Sequence, residues 1–235
     1  MNQTITIERR YCGPPDSGNG GYVSGRLAAY IEGPAAVRLQ VPPPLDVEME
    51  VREADGGVEM VHGETVVATG RPAQVTLDVP PPPDYAGAEA AARSYAGFRS
   101  HPFPTCFVCG PQRKEGDGLR IFPGRLPGTK VLASPWIPGE TVGDADGKVR
   151  PEFIWAALDC PGAFTFGVPD GSAMVLGELA AALQGRIEVG ERCVVVGWEL
   201  ARDGRRHYTG TAVYSASGDC RGLARATWFE VPAGR

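Results

Sequence analysis

Apolar and acidic residues alternate with a period of two through residues 45–53, Leu-Asp-Val-Glu-Met-Glu-Val-Arg-Glu, the pattern of a strand with one buried and one wet face. Asp55-Gly56-Gly57 follows as a hairpin turn. Segments 58–61, 64–69 and 73–79 continue as short strands, so the region reads as an antiparallel meander. Ahead of it, residues 20–31 carry Val23, Leu27, Ala28 and Ile31 at helical spacing. The first half is therefore a helix followed by a sheet.

Pro80 to Pro83 form a stiff run that cannot join a ladder, and the alanine-rich stretch 86–96 after it suits a short helix. Beyond this point, 119–122 and 130–133 read as strands, and 149–166 holds the best helix of the second half, around Phe153, Ile154, Ala157 and Leu158. Four strand-like segments follow at 173–183, 192–201, 206–215 and 222–230, with Asp203-Gly204 and Ser217-Gly218-Asp219 as turns. The order is again helix, then meander. Two halves of similar size with the same order indicate a duplicated unit without a regular sequence period. The expected organisation is an N-terminal unit over 1–84, a linker over 85–104 and a C-terminal unit over 105–235.

The chain has 235 residues, 43% of them hydrophobic, enough for a proper core. A net charge of -5 and the lack of any lysine or arginine stripe argue against nucleic-acid binding. The N-terminal residues lack the apolar core of a signal peptide and no stretch reaches membrane-spanning length, so a cytoplasmic address with no membrane partner is expected. In that setting the six cysteines, Cys12, Cys106, Cys109, Cys160, Cys193 and Cys220, are expected as free thiols.

The run Arg150-Pro-Glu-Phe-Ile-Trp-Ala-Ala-Leu-Asp159-Cys-Pro-Gly-Ala-Phe resembles the central-helix motif of hotdog thioesterases, especially the phenylacetyl-CoA thioesterase type. In that family a His-Gly-Gly turn opens the helix and an acid follows nine positions after the His; Asp159 holds the acidic place relative to Arg150. Ser17-Gly18-Asn19-Gly20-Gly21-Tyr22 resembles the glycine turn, with Asn19 at the His position, but nine residues on stands Ala28 rather than an acid. Arg150-Pro151-Glu152 has conversely lost both glycines. The two losses are complementary. The resemblance implies an α+β double hotdog, in which each central helix is wrapped by an antiparallel sheet, with one complete composite site made of Asn19, Gly20, Gly21 and Asp159. It also extends to thioesterase-like proteins of unassigned substrate that carry Cys-Phe-Val-Cys-Gly-Pro, here residues 106–111.

Thioester hydrolysis builds negative charge on the carbonyl oxygen, and free amides at a glycine-opened helix N-terminus answer it. The Gly21 amide is assigned that role, with Gly20 or Tyr22 as a second donor. Asp159 would activate water or attack the thioester itself. The catalytic set is thus Asp159, Gly21 and Asn19, and Gly20, Tyr22 and Glu152 are placed beside the substrate. Each also has a plainer reading: Asn19 as a helix cap, Asp159 as a helix-terminal acid with local hydrogen bonds, and Glu152 as a first-turn acid complementing the helix dipole.

Cys106-x-x-Cys109 with nearby His101 has the spacing of half a zinc site. Only the distant Cys12 offers itself as completion, so buried thiols and no stoichiometric zinc are expected, and no cofactor. His62 and His207 are expected at surface or sheet-edge positions. Three functions stand side by side: a hydrolase of acyl-CoA or related thioesters, a non-catalytic acyl-CoA or small-ligand binding module, and a hotdog dehydratase or hydratase, which would want a His beside the helices. The reading leaves room for a homodimer of such double units.

Overall fold

A computed structural model describes residues 3–167 and 171–232. The elements run β1 (Gln3–Thr6), α1 (Gly20–Ala28), β2 (Ala35–Leu39), β3 (Glu48–Ala54), β4 (Gly57–His62), β5 (Thr65–Pro72), α2 (Tyr85–Ala92), β6 (Gly124–Arg125), β7 (Leu132–Trp136), α3 (Pro151–Ala157), α4 (Cys160–Ala163), β8 (Ser172–Leu183), β9 (Cys193–Asp203), β10 (Arg206–Tyr214) and β11 (Cys220–Pro232).

All paired strands are antiparallel and lie in one 11-stranded sheet, in the order β1-β3-β4-β5-β2-β8-β11-β10-β9-β7-β6. The order is the same in both halves read outward from the middle. In each, the strand after the helix sits at the centre, the last strand of the meander lies beside it, and the strand before the helix lies outermost but for β6. The halves meet where β2 pairs with β8, Ala35 opposite Ala181 and Val37 opposite Leu179. Small residues on this seam suit its position beneath the helices: Ala35, Val37, Leu179 and Ala181 are all buried.

The sheet curls around α1 and α3, which explains why both helices are apolar nearly all round rather than striped. Gly21 to Gly25 and then Leu27 and Ala28 are buried in α1, and Phe153 to Ala157 in α3. The two helices press together at glycines. A Cβ on Gly21 would lie 2.4 Å from Asp159 Cβ and 2.7 Å from the Trp155 carbonyl oxygen, and one on Gly25 would lie 2.6 Å from Glu152 Cα. One hydrophobic core runs through both halves, joining Leu27, Met49 and Met60 to Phe153, Leu158 and Val195.

Several expectations shift. The helix foreseen over 149–166 is two short helices, because Pro161 has no amide hydrogen for the Ala157 carbonyl four residues back and its ring crowds that carbonyl; the break falls at Leu158 and Asp159. The strand foreseen at 73–79 is extended but outside the ladder. Its period of two is real, since Val75, Leu77 and Val79 pack on Ala133, Val196 and Trp198, yet they lie on the outer face of the sheet, a contact that needs alternation but no strand partner. The short helix expected over 86–96 is present as α2, with Ala88 and Ala91 buried in the same cluster. Residues 119–122 are not in the sheet either: Leu119 and Ile121 donate to the Phe107 and Val108 carbonyls. The short strands β1 and β2 were not foreseen.

His62 is exposed, whereas His207 is not at a surface or edge. It sits on β10 between β9 and β11, 2% exposed, edge-on to Phe166 at 4.4 Å. Alternation decides only which face a residue takes, and this face is covered.

Candidate functional site

Asn19 ends the approach to α1 as its N-cap. Its side-chain Oδ1 accepts from the Tyr22 amide at 2.9 Å and its carbonyl accepts from Val23 at 2.9 Å, the usual device for satisfying free amides at a helix start. With Oδ1 committed, Nδ2 is left to donate, and it reaches Asp159 Oδ2 at 2.9 Å. The cap reading of Asn19 holds, and the same side-chain amide also donates to Asp159 through its nitrogen.

Asp159 enters from the other half of the chain. The proline-forced break after α3 turns its carboxylate back toward the start of α1, where Oδ2 also accepts from the Gly21 amide at 3.0 Å. The geometry needs a glycine at position 21, because any side chain would overlap Asp159 and the α3 backbone. Asn19 and Asp159 are each 2% exposed. Burial pushes the Asp159 carboxyl up to about 7, while the Gly21 amide and the Asn19 side chain pull the other way. Asp159 Oδ1 is buried without a hydrogen-bond partner among the described residues, so the carboxylate keeps one acceptor uncommitted. Below it, the Thr211 hydroxyl donates to the Leu158 carbonyl at 2.6 Å and fixes the end of α3.

The remaining residues expected near substrate divide. Gly20 lies at the helix opening, where a Cβ would come 2.7 Å from Leu176 and 3.3 Å from Leu39. The Tyr22 amide is consumed by Asn19 and is no second donor for an oxyanion; its ring stacks on Tyr11 at 4.2 Å. Glu152 stands almost two turns before Asp159 on the same helical stretch, its carboxylate 3.6 Å from Arg150 and bonded to neither Asn19 nor Asp159. At the related position of the first half stands Ala28, and no acid meets the start of α3 there.

Sequence reasoning missed what flanks the carboxylate. Asn19 Nδ2 also lies 3.9 Å from Cys106 Sγ and 3.8 Å from Cys160 Sγ. Cys12, which alone offered itself to complete a zinc site with Cys106 and Cys109, is not in their sulfur cluster; its sulfur lies 3.2 Å from the Arg113 guanidinium. The adjacency of Cys160 to Asp159 was the available signal.

Two surface clefts, of about 500 and 320 Å³, lie elsewhere, the first along Ala29 to Glu32 and the second along Arg38, Asp55 and Glu178. Neither is lined by Asn19, Gly21 or Asp159. No helix among the described residues is long and apolar enough to cross a membrane.

No protein-family model matches the sequence, and no curated protein matches it. Among solved structures, the chain is similar to the tesB protein of Mycobacterium avium subs paratuberculosis, with a TM-score of 0.59 at 10% identity over 92% of this chain and 88% of that one. It is also similar to a candidate thioesterase II of Thermobifida fusca, with a TM-score of 0.63 at 15% identity over 98% of this chain and 92% of that one. What is shared at such identities is the fold: an antiparallel sheet wrapped around central helices, the hotdog fold of thioesterase-superfamily structures.

Proposed function

We propose that this chain is a tandem double hotdog that hydrolyses an acyl-CoA or related thioester at one composite site, with Asn19, Gly20 and Gly21 from the first unit and Asp159 from the second. The observation that carries the reading is the convergence of the Gly21 amide and the Asn19 side chain on one buried carboxylate oxygen across the two units. The matching place in the other direction has Ala28 and no acid.

The chemistry follows from the groups. A thioester carbonyl brought to the opening of α1 takes over the Gly21 amide from Asp159, and charge developing on its oxygen is met by that donor and the helix dipole. The carboxylate then accepts a proton from water as the water attacks the carbonyl carbon. The carbon–sulfur bond breaks as Asp159 returns that proton to the leaving sulfur, giving a carboxylic acid and a free thiol. Asn19 holds the carboxylate in place.

A second reading, a non-catalytic binder of acyl-CoA or another small ligand, rests on the separation of cleft and carboxylate: Asp159 is 2% exposed, and a ligand held in either surface cleft would not meet it. Thiol release from a panel of acyl-CoA substrates separates the two. Hydrolysis by the wild type, reduced at least about a hundredfold in Asp159→Asn with binding retained, supports the enzyme. An Asp159→Asn variant working at the wild-type rate would remove Asp159 from the chemistry. Inertness of the wild type toward every thioester, with binding, supports the second reading.

A further inference from the structure

Three thiols from two distant segments meet beside the candidate site. Cys106 and Cys160, 54 positions apart, place their sulfurs 3.7 Å from each other. The sulfurs of Cys106, Cys109 and Cys160 all lie within 4.8 Å of one another, and all three residues are buried. Zinc–thiolate bonds of about 2.3 Å in a tetrahedron put sulfurs about 3.8 Å apart. A disulfide needs two sulfurs at about 2.05 Å and gives no reason for a third.

The backbone is shaped for the same purpose. Cys106-Phe-Val-Cys109-Gly110 folds back on itself, the Gly110 amide donating to the Cys106 carbonyl at 2.9 Å. A Cβ on Gly110 would sit 2.5 Å from both the nitrogen and the oxygen of Cys106, so only glycine permits the turn. His101 stands at the rim, Nε2 3.3 Å from Cys109 Sγ but outside the group of mutually close ligand atoms, so its ring must swing inward to join them.

We propose that Cys106, Cys109 and Cys160 bind a zinc-like divalent cation in a closed structural site, with His101 as the fourth donor. Thiolates and imidazole are the ligands such an ion takes, and four protein ligands make a structural rather than a catalytic site. His101 Nδ1 accepts from the Phe103 amide at 2.9 Å. Ligation through Nε2 requires the ring proton on Nδ1 and the opening of that contact.

The metal would clamp the loop around Cys106 to α4, directly behind Asp159. Phe107 of that loop already packs on Tyr11, Tyr22 and Phe153 at ring separations of 5.0 to 6.2 Å. All four ligands belong to the linker and the second half, so the metal would steady the first half only through Phe107 and its contacts with Tyr11 and Tyr22. The expectation of no zinc rested on the lack of a second cysteine pair. A single cysteine far along the chain takes its place.

The test uses the full chain, purified under reducing conditions without chelator, with metal read by elemental analysis and the chelator-stripped protein titrated with Co²⁺. One equivalent of zinc per chain is expected. Cobalt should give the intense visible bands of a tetrahedral site with thiolate-to-metal charge transfer. Cys160→Ser should lose stoichiometric binding, Cys220→Ser should keep it, and His101→Ala should keep the charge transfer while weakening binding. Because Cys160 is buried and its replacement also disturbs the core, the wild type is melted with and without chelator as well, and its midpoint should fall when the metal is removed. The absence of stoichiometric metal, an unmoved midpoint, or a Cys106–Cys160 disulfide in the reduced preparation would overturn the site. Binding unchanged in Cys160→Ser or His101→Ala would overturn the ligand set. Metal content and thiol release are separate readouts, so this site and the hydrolase reading fail independently.

Discussion

The Asp159 carboxylate and the Gly21 amide, 138 positions apart in sequence, share a 3.0 Å hydrogen bond. The bond forms because two short helices from the two halves of the chain cross at glycines, so that the N-terminus of α1 meets the broken end of α3. Any change that separates the helices should therefore be felt at the carboxylate as well as in the core.

Gly21→Ala tests this directly. The added methyl would lie 2.4 Å from Asp159 Cβ and 2.7 Å from the Trp155 carbonyl oxygen, so α1 and α3 must part. Overpacking of this kind costs about 1–3 kcal/mol. Urea unfolding should show the lower midpoint with an unchanged slope, while Gly33→Ala, in open space, should show no clash and only the smaller cost of its positive φ of 78°.

Asn19→Ala removes an N-cap and a bond to a buried carboxylate in one step. The cap alone is worth about 1 kcal/mol, and leaving Asp159 with one fewer donor adds to it. Stability should fall more than for an ordinary cap. Thiol release, if present, should fall less than in Asp159→Asn, because Asn19 orients and does not take the proton.

His207 should make stability depend on pH. Burial is the main cause that lowers its imidazole below the ordinary range; Arg202 lowers it further, while Glu230, 3.7 Å away, and Glu199 oppose. Above about 6.5 the imidazole is neutral both folded and unfolded, with no effect. As pH falls from there, the unfolded chain takes up the proton first, and stability is lost until the folded imidazole also protonates. Chemical denaturation from pH 8 to 5 should give a steeper loss for the wild type than for His207→Leu; equal slopes would count against it.

Residues 1–84 expressed alone should not fold. The β2 edge would lose its pairing with β8, and α1 would expose the face that covers α3. Circular dichroism should show an unfolded or aggregating fragment, and calorimetry of the full chain a single transition, as expected when one core spans both halves.

Local chemistry was legible in the sequence. The Asn19 cap and the Asp-Gly hairpins at Gly56 and Gly204, both with positive φ, are set within a few residues by backbone sterics and nearby donors. The repeated order of helix and meander likewise follows from periodicity. Reading Asn19 and Asp159 as two halves of one site needed the resemblance as well, since nothing local relates them.

Everything that depends on what lies across a face was left to the tertiary structure. Val75 to Val79 alternates as a strand would, but an alternating segment is satisfied equally by a sheet edge or by the face of another sheet, and here the face of the second half took it. His207 alternates like a surface residue and is buried because Phe166 packs against it. The short β2, with few large side chains, carries little periodic signal, yet its pairing with β8 joins the two halves. Cys160 shows no ligand spacing to Cys106, because spacing along a chain encodes only contacts made within a turn or two. Its sulfur reaches the others through the packing of α4 against the loop at Cys106, and that packing is set by the core as a whole.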